Sequence, residues 1–477
     1  MSRSGSLLFV VYGATGDLAS RRLFPALHST LDPEDGSLVL GVATGDLTDA
    51  DLQQTATKSL LAAGVADREA AEWARRRVHY HQAAEDGSAD SLADRIARLE
   101  AEHDLAGNRI FYLALPPTAF APVIEALGTA GLHRAPGWVR LVVEKPFGRD
   151  LDSAHRLNEL THRWFDEDQV YRIDHYLGKE TVQNLLVFRF TNPVFEASWN
   201  RSSIDRVEIT VAETLDVGGR GRFYELTGAI GDMLQSHLTQ VLTLVAMEPP
   251  PAFEADAIRD EKVKVLRSIR GIPERAVVVG QYGEGSIDGA PVAAYRTTDG
   301  VAEDSRVPTF AAIRLWIDNW RWQGVPFYLR TGKAMSRRLT EVVVTFRPPP
   351  ICFFHAGPDD CVTHPNRLFL TLQPDEGFAL HIEVKDPAAD NAVRTIPLRF
   401  SYDELAPIPE AYHTLIGDLL DGDQTLFVRG DEAEEAWRLF APTLSYDLPF
   451  HEYPAGSWGP PEANQLLPDG TDWATLR

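Results

Sequence analysis

Leu7-Leu8-Phe9-Val10-Val11-Tyr12 runs without a polar break into Gly13-Ala14-Thr15-Gly16-Asp17-Leu18-Ala19. The first six residues read as a parallel strand buried on both faces, because such strands are continuously apolar rather than alternating. The next seven read as a turn entering a helix. Glycines there let backbone amides approach a pyrophosphate, which then rests at the positive helix N-terminus. The spacing is G-x-x-G-x-x-A, not G-x-G-x-x-G, so its force comes from its place as the first strand-to-helix turn. The competing reading is a plain tight turn capped by Asp17.

Working outward, an apolar-periodic stretch over 18–31 and a second strand over 38–43 complete a βαβ unit. Alternation continues with helical 48–63 and 87–103, a strand over 110–115, helical 117–127, a strand over 139–143 and helical 151–166. This predicts a doubly wound α/β fold, a Rossmann-like NAD(P)-binding domain over 1–177. Beyond about residue 180 the rhythm changes. Runs 182–190, 207–212, 276–282, 311–317, 341–346 and 367–373 are strand-like, and a long helical stretch over 229–247 interrupts them. These predict an α+β domain over 178–477 with a large, mostly antiparallel sheet plus helices.

Composition agrees with two large domains. The chain has 477 residues, 44% of them hydrophobic, beyond the roughly 250–300 residues at which single cores stop growing. Forty-six Lys+Arg against 69 Asp+Glu give a net charge of −23, which argues against a nucleic-acid surface. An anionic substrate would need a few locally concentrated cations. Cys352 and Cys361 are too few for a disulfide scaffold or a multi-cysteine metal site. They could pair, but a reduced cytosolic enzyme is the simpler expectation. No signal peptide and no membrane span is expected, so the protein reads as cytoplasmic.

Four further strings carry chemistry. Arg172-Ile173-Asp174-His175-Tyr176-Leu177-Gly178-Lys179-Glu180 gathers Arg, His, Tyr and Lys in a chain otherwise short of cations. If it turns into a helix, His175 and Lys179 share a face suited to a phosphate, with Tyr176 as a further donor. The alternative is a solvated helix start with an Asp cap. Asp232-Met233-Leu234-Gln235-Ser236-His237 sits in the apolar helix, whose buried face is Ile230, Leu234, Leu238, Val241 and Val245. His237 borders that face, either as a satisfied core histidine or as a general base near neutral pH. Glu144-Lys145-Pro146-Phe147-Gly148 ends an apolar strand, where ligands of open α/β sheets collect. Base rates favour a trans Lys145–Pro146 bond. Tyr328-Leu329-Arg330-Thr331-Gly332-Lys333 offers one more lysine. At the end of the second strand, Ala43-Thr44-Gly45-Asp46, no Lys or Arg lies between Ser37 and Thr57, which favours NAD; Arg21 and Arg22 are the nearest cations for a 2′-phosphate.

Taken in order, these strings, with 108–114, 318–322 and 453–460, closely resemble the glucose-6-phosphate dehydrogenase family. The resemblance implies oxidation of D-glucose 6-phosphate at C1 to 6-phosphogluconolactone, with hydride transfer to NAD(P), as the first step of the oxidative pentose phosphate pathway. It implies His237 as the general base and Asp174 as its paired carboxylate. His175, Tyr176 and Lys179 become phosphate ligands. Lys145, Glu213, Asp232 and Lys333 hold sugar hydroxyls or position substrate against cofactor, and Arg22 stands near the substrate. Gly13–Ala19, Thr44 and Lys145 fall to the cofactor. The family assembles through its large sheet, so a homodimer or homotetramer is expected, with no metal.

Four departures bear on these implications. Thr44 replaces a common Arg that contacts the 2′-phosphate, leaning the cofactor toward NAD or dual use. Arg22 replaces a lysine, and Phe223-Tyr224-Glu225 carries a longer acid than the usual Asp. Leu339 and Val343 replace cations of a second, structural NADP, so no such site is expected. Alternatives are a relative acting on another hexose 6-phosphate and a catalytically silent nucleotide-binding homologue.

Overall fold

Among the described residues, six strands of the first unit pair in parallel: Leu7–Tyr12 (β1), Leu38–Ala43 (β2), Val78–Gln82 (β3), Asn108–Leu113 (β4), Val139–Val143 (β5) and Val170–Ile173 (β6). β3, whose sequence is Val-His-Tyr-His-Gln, and the short β6 carry no apolar run that announces them. Their order is β3-β2-β1-β4-β5-β6, the doubly wound arrangement of dinucleotide-binding domains. Every residue of β1 is buried, as its unbroken apolar run requires. Strand order reverses between β1 and β4, which opens a crevice at their carboxyl ends. The helix Asp49–Ala62 begins on a Thr48/Asp51 capping box, and Asp90–His103 buries Leu92, Ile96 and Leu99. A further helix, Asp67–Arg77, has few apolar residues to announce it.

The computed structural model describes residues 5–357, 360–361, 363–388, 392–402 and 409–476. Among contacts, the chain divides into two compact units. The first joins Met1–Lys179 to Ala252–Arg259 and Pro409–Glu434, two segments that a contiguous reading places in the second domain. The later one belongs here because Phe427–Val428 adds an antiparallel edge to β6. Gln424 Nε2 also donates to the carbonyls of Glu167, Asp168 and Val170 at 3.1, 3.2 and 3.0 Å.

The second unit is built on a nine-stranded mixed sheet. In spatial order its strands are Val393–Ser401, Gly377–Lys385, Arg367–Gln373, Leu339–Phe346, Ile204–Ala212, Pro326–Gly332, Phe310–Trp316, Val277–Gly283 and Phe450–Pro454. All neighbours are antiparallel except Ile204–Ala212 with Pro326–Gly332 and Val277–Gly283 with Phe450–Pro454.

Some expectations fail here. The run 182–190 is not a strand but the helix Glu180–Phe190. Its buried residues, Thr181, Val182, Leu185, Leu186, Phe188 and Arg189, share one side, but two of them are polar and the apolar Val187 is exposed, so helical periodicity does not stand out in the sequence. The stretch 229–247 is helical, but Ile230–Leu238 is π-wound, which apolar spacing cannot signal. Cys352 and Cys361 are not free thiols but form a disulfide. The hairpin His355–Gly357 with Asp360–Cys361 folds the chain back and sets their Cα atoms 6.0 Å apart, inside disulfide range. Residues 1–4 lie outside the described residues, and so does the side chain of Phe223.

Candidate active site

In the first unit, Gly13 leaves β1 with φ +77°, and a Cβ there would stand 2.2 Å from the Ala114 carbonyl oxygen. Only glycine lets the end of β1 pass so close to the end of β4. The Gly13 and Ala14 amides donate to Val42 O, and Gly16 N–H closes the turn on Gly13 O at 2.9 Å. Thr15, Gly16 and Asp17 are exposed at the turn's rim, and a helix follows at once. The cleft beside this turn is lined by Gly13, Thr15, Val42, Thr44, His81 and Leu115, among others. A glycine turn, a helix start and small apolar walls at the β1/β4 switch point fit a nicotinamide dinucleotide. Neither candidate cation for a 2′-phosphate lines it: Arg21 pairs with Asp17 at 2.6 Å and Arg22 with Glu410 at 2.5 Å.

Lys145 follows β5 and is half-buried; its bond to Pro146 is cis, against expectation. Its neighbour Glu144 accepts hydrogen bonds from Tyr112 (2.6 Å) and Tyr412 (3.1 Å). Burial pushes that carboxyl up, while the two hydroxyls and Lys145 oppose the shift.

In the 172–180 string, Arg172 and Ile173 end β6 and residues 174–179 form a turn leading into the Glu180–Phe190 helix, so the string is not itself a helix. Leu177 N–H donates to Asp174 O, Lys179 N–H to Tyr176 O, and Asp174 Oδ1 accepts from Tyr176 N–H at 2.9 Å. Asp174 is buried and His175 half-buried, with its ring edge-on to Tyr176. Lys179 Nζ stands 3.5 Å above the Tyr176 ring, so the turn gathers imidazole, phenol and ammonium without helical spacing. Gly178 permits this, since a Cβ would lie 2.7 Å from Ala411 O. Arg172 does not join the set: it is buried and forks onto Glu167 at 2.7 and 3.2 Å.

The second unit places its candidates through strand pairing. Ile204–Ala212 and Pro326–Gly332 run parallel with Ala212 opposite Gly332, so the residues that follow, Glu213 and Lys333, emerge together. Their side chains form an ion pair, with Lys333 only 5% exposed. Lys333 is fixed on both sides, its N–H on Thr309 O at 2.9 Å and its carbonyl accepting from the Tyr453 hydroxyl at 2.8 Å. Tyr224 is buried with its ring 5.7 Å from Lys333 Nζ; burial, then Asp232, Tyr453 and Glu213, pushes its hydroxyl far up. Asp232 and His237 lie in the π-wound segment, and His237 is 1% exposed. Residues five apart on an α-helix diverge by about 140°. A π-turn, closing i to i+5, returns them to one side. Glu225 accepts from Tyr295 (2.6 Å) and Ser305 (2.7 Å), so its extra methylene serves an internal network.

Two family models divide the chain between them. The glucose-6-phosphate dehydrogenase NAD-binding domain matches residues 10–184, and the C-terminal domain matches 186–474. The chain belongs to the glucose-6-phosphate dehydrogenase family. It is 43% identical to glucose-6-phosphate 1-dehydrogenase of Mycolicibacterium smegmatis, over 98% of this chain and 97% of that one. The counterpart in Chlamydia pneumoniae is 40% identical over 98% and 96%. A solved glucose-6-phosphate dehydrogenase in complex with its substrate glucose 6-phosphate superposes with TM-score 0.87 at 36% identity, covering 99% of both chains. Membership makes this chain an NAD(P)-dependent oxidoreductase of the C1 hydroxyl of a sugar phosphate.

Sequence reasoning missed Tyr112, Tyr412, Tyr224, Tyr453 and Thr309 as supports, and His81 as a cleft residue. Tyr112 and Tyr453 stand near strand ends and Tyr224 and Tyr412 on helices, and nothing in the spacing links 112 to 412 or 333 to 453.

Proposed function

We propose that His237 serves this chain as general base in oxidising D-glucose 6-phosphate at C1 to 6-phosphogluconolactone, opening an oxidative pentose phosphate route. The observation that carries the reading is the paired emergence of Glu213 and Lys333 at two parallel strand ends, within a chain that matches both family domains. When bound, the nicotinamide supplies the acceptor for the C1 hydride. His237 takes the proton of the C1 hydroxyl as that hydride leaves, and a buried imidazole suits a proton transfer near neutral pH. Lys333, Glu213 and Asp232 hold sugar hydroxyls, and their fixed backbones limit reorganisation on binding. Asp174 as orienting carboxylate, and His175, Tyr176 and Lys179 as phosphate ligands, follow the family resemblance. The 174–179 turn supports them by gathering those side chains on one short loop. Arg22, held by Glu410, is proposed to approach the substrate only on leaving that pair.

Gly13–Ala19, Thr44 and Lys145 are proposed to bind the dinucleotide. Thr44 without a cation, and Arg21 and Arg22 already paired, support NAD or dual use over strict NADP. Leu339 and Val343, buried in the sheet, support a single dinucleotide per chain. A homodimer or homotetramer in the cytoplasm completes the reading; among the described residues no helix is long and apolar enough to cross a membrane.

The test is absorbance at 340 nm with purified protein, glucose 6-phosphate and either cofactor. Turnover is expected. None with either cofactor overturns the reading, and turnover only with another hexose 6-phosphate replaces the substrate.

A further inference from the structure

Among the described residues that line the cofactor cleft, none is Lys, Arg, Asp or Glu. Two can ionise: Tyr12, whose hydroxyl burial pushes far up, and His81. His81 stands on β3 in register with Val42 of β2, two residues before Thr44, and both Thr44 and His81 face the cleft. The next residue, Gln82, donates to Thr44 O at 3.3 Å, while the Tyr80 hydroxyl holds Ala43 O and Gly45 O. Those bonds fix the β2 end, where a dinucleotide fold reads the adenosine ribose.

The surroundings of His81 are polar on one side and cationic on the other. Its Nε2 lies 3.3 Å from Ser91 Oγ on the Asp90–His103 helix. Burial first, then Arg95 and Arg98 of that helix, lower its pKa below the ordinary histidine value. The neighbouring charges have other partners. Asp49, heading the Asp49–Ala62 helix, accepts from Tyr80 N–H (2.7 Å) and Arg95 (3.2 Å) and lies 3.2 Å from His79 Nδ1. Asp46 acts on Tyr80. Arg98 Nε donates to Asp94 O, leaving its guanidinium exposed.

We infer that His81 is the residue through which this cleft distinguishes a ribose 2′-phosphate from a 2′-hydroxyl. Uncharged, the imidazole offers one donor or acceptor to a hydroxyl, which suits NAD. Charged, it joins the Arg95–Arg98 side of the helix as a cation for the 2′-phosphate, a role that no residue at the β2 end fills. Because its charged form is disfavoured in the free protein, neutral pH favours NAD. Falling pH charges the ring and raises the affinity for NADP relative to NAD. The inference rests on the dinucleotide reading above and assigns the determinant within it.

Calorimetric titration of the full chain with NAD and with NADP, without sugar phosphate, tests this. From about pH 8 to about pH 6, the ratio Kd(NAD)/Kd(NADP) should rise ~10-fold in the wild type and less than ~2-fold in His81→Gln. The 2′-phosphate itself titrates near pH ~6 and loses charge over the same interval, but it does so identically with both proteins. His81→Lys, charged throughout, should give a high ratio with no such rise. A flat ratio in the wild type, equal slopes in wild type and His81→Gln, or no gain in NADP affinity in His81→Lys would each overturn the inference. If neither cofactor binds, the dinucleotide reading fails and takes the inference with it. If both bind but glucose 6-phosphate is not turned over, only the reaction is lost and the His81 comparison still decides.

Discussion

The cleft beside the Gly13 turn and the paired strand ends of the second unit handle charge in opposite ways. The cleft is walled by small and apolar residues and holds no fixed charge among its described lining, with one histidine able to acquire one. At the strand ends, Lys333, Glu213 and the buried Tyr224 sit together, and Asp232 of the π-wound segment acts on Tyr224. Sealing ions from water costs free energy unless each is paired, and Lys333 is paired. The difference follows the work proposed for each region. Where a C–H and an O–H bond break, groups must already stand in place, because reorganisation raises the barrier. Where a ribose is merely held, shape and a few weak contacts suffice, and selectivity can rest on one titratable side chain.

Four substitutions would break or sharpen that contrast. The largest effect belongs to His237→Asn, which keeps a hydrogen-bonding side chain but removes the base: kcat should fall about 10³-fold with little change in KM for glucose 6-phosphate. Survival of kcat would return His237 to the role of a core histidine. Next, Gly13→Ala drives a methyl into Ala114 O in a left-handed backbone conformation, so affinity for both cofactors should drop roughly 10²-fold by fluorescence titration. Unchanged affinity would remove the turn from the cofactor site. Glu213→Gln strips the carboxylate from the Lys333 ammonium; kcat/KM for the sugar phosphate should fall by about 30-fold and Tm should drop, while cofactor Kd stays put. A change confined to cofactor affinity would contradict the division between the two regions. The smallest effect is expected for Thr44→Arg, which adds a fixed cation to the uncharged cleft. It should improve kcat/KM for NADP over NAD by about 10-fold; an unaltered ratio would show that the β2 end does not read the ribose.

Much of this was legible in the chain because local patterns carry it. The unbroken apolar run before Gly13 read as a strand buried on both faces and its glycines as a close-approach turn, so a βαβ unit followed from 7–43 and a doubly wound unit from the alternation beyond it. His237 and Lys333 were visible as candidates from the blocks that contain them. The disulfide was not, since two cysteines nine residues apart are neutral evidence until a hairpin folds them together. Nor was the helix Glu180–Phe190, whose apolar residues favour no one period.

What the sequence alone determined is therefore the family, the doubly wound character of the first unit and the identity of most chemical groups, all of which rest on short-range order along the chain. The strands Val78–Gln82 and Val170–Ile173, and the strand order, came from the structure. What only the tertiary structure decided is which groups meet. Parallel register sets Glu213 beside Lys333 across 120 residues, and a hydroxyl at 453 fixes the carbonyl at 333. π-winding over Ile230–Leu238 changes the angular spacing of Asp232 and His237, and β3 rather than β2 brings a histidine to the cleft beside the Gly13 turn. Register, helix winding and strand adjacency are set by packing summed over the whole fold, and no window of sequence contains that sum.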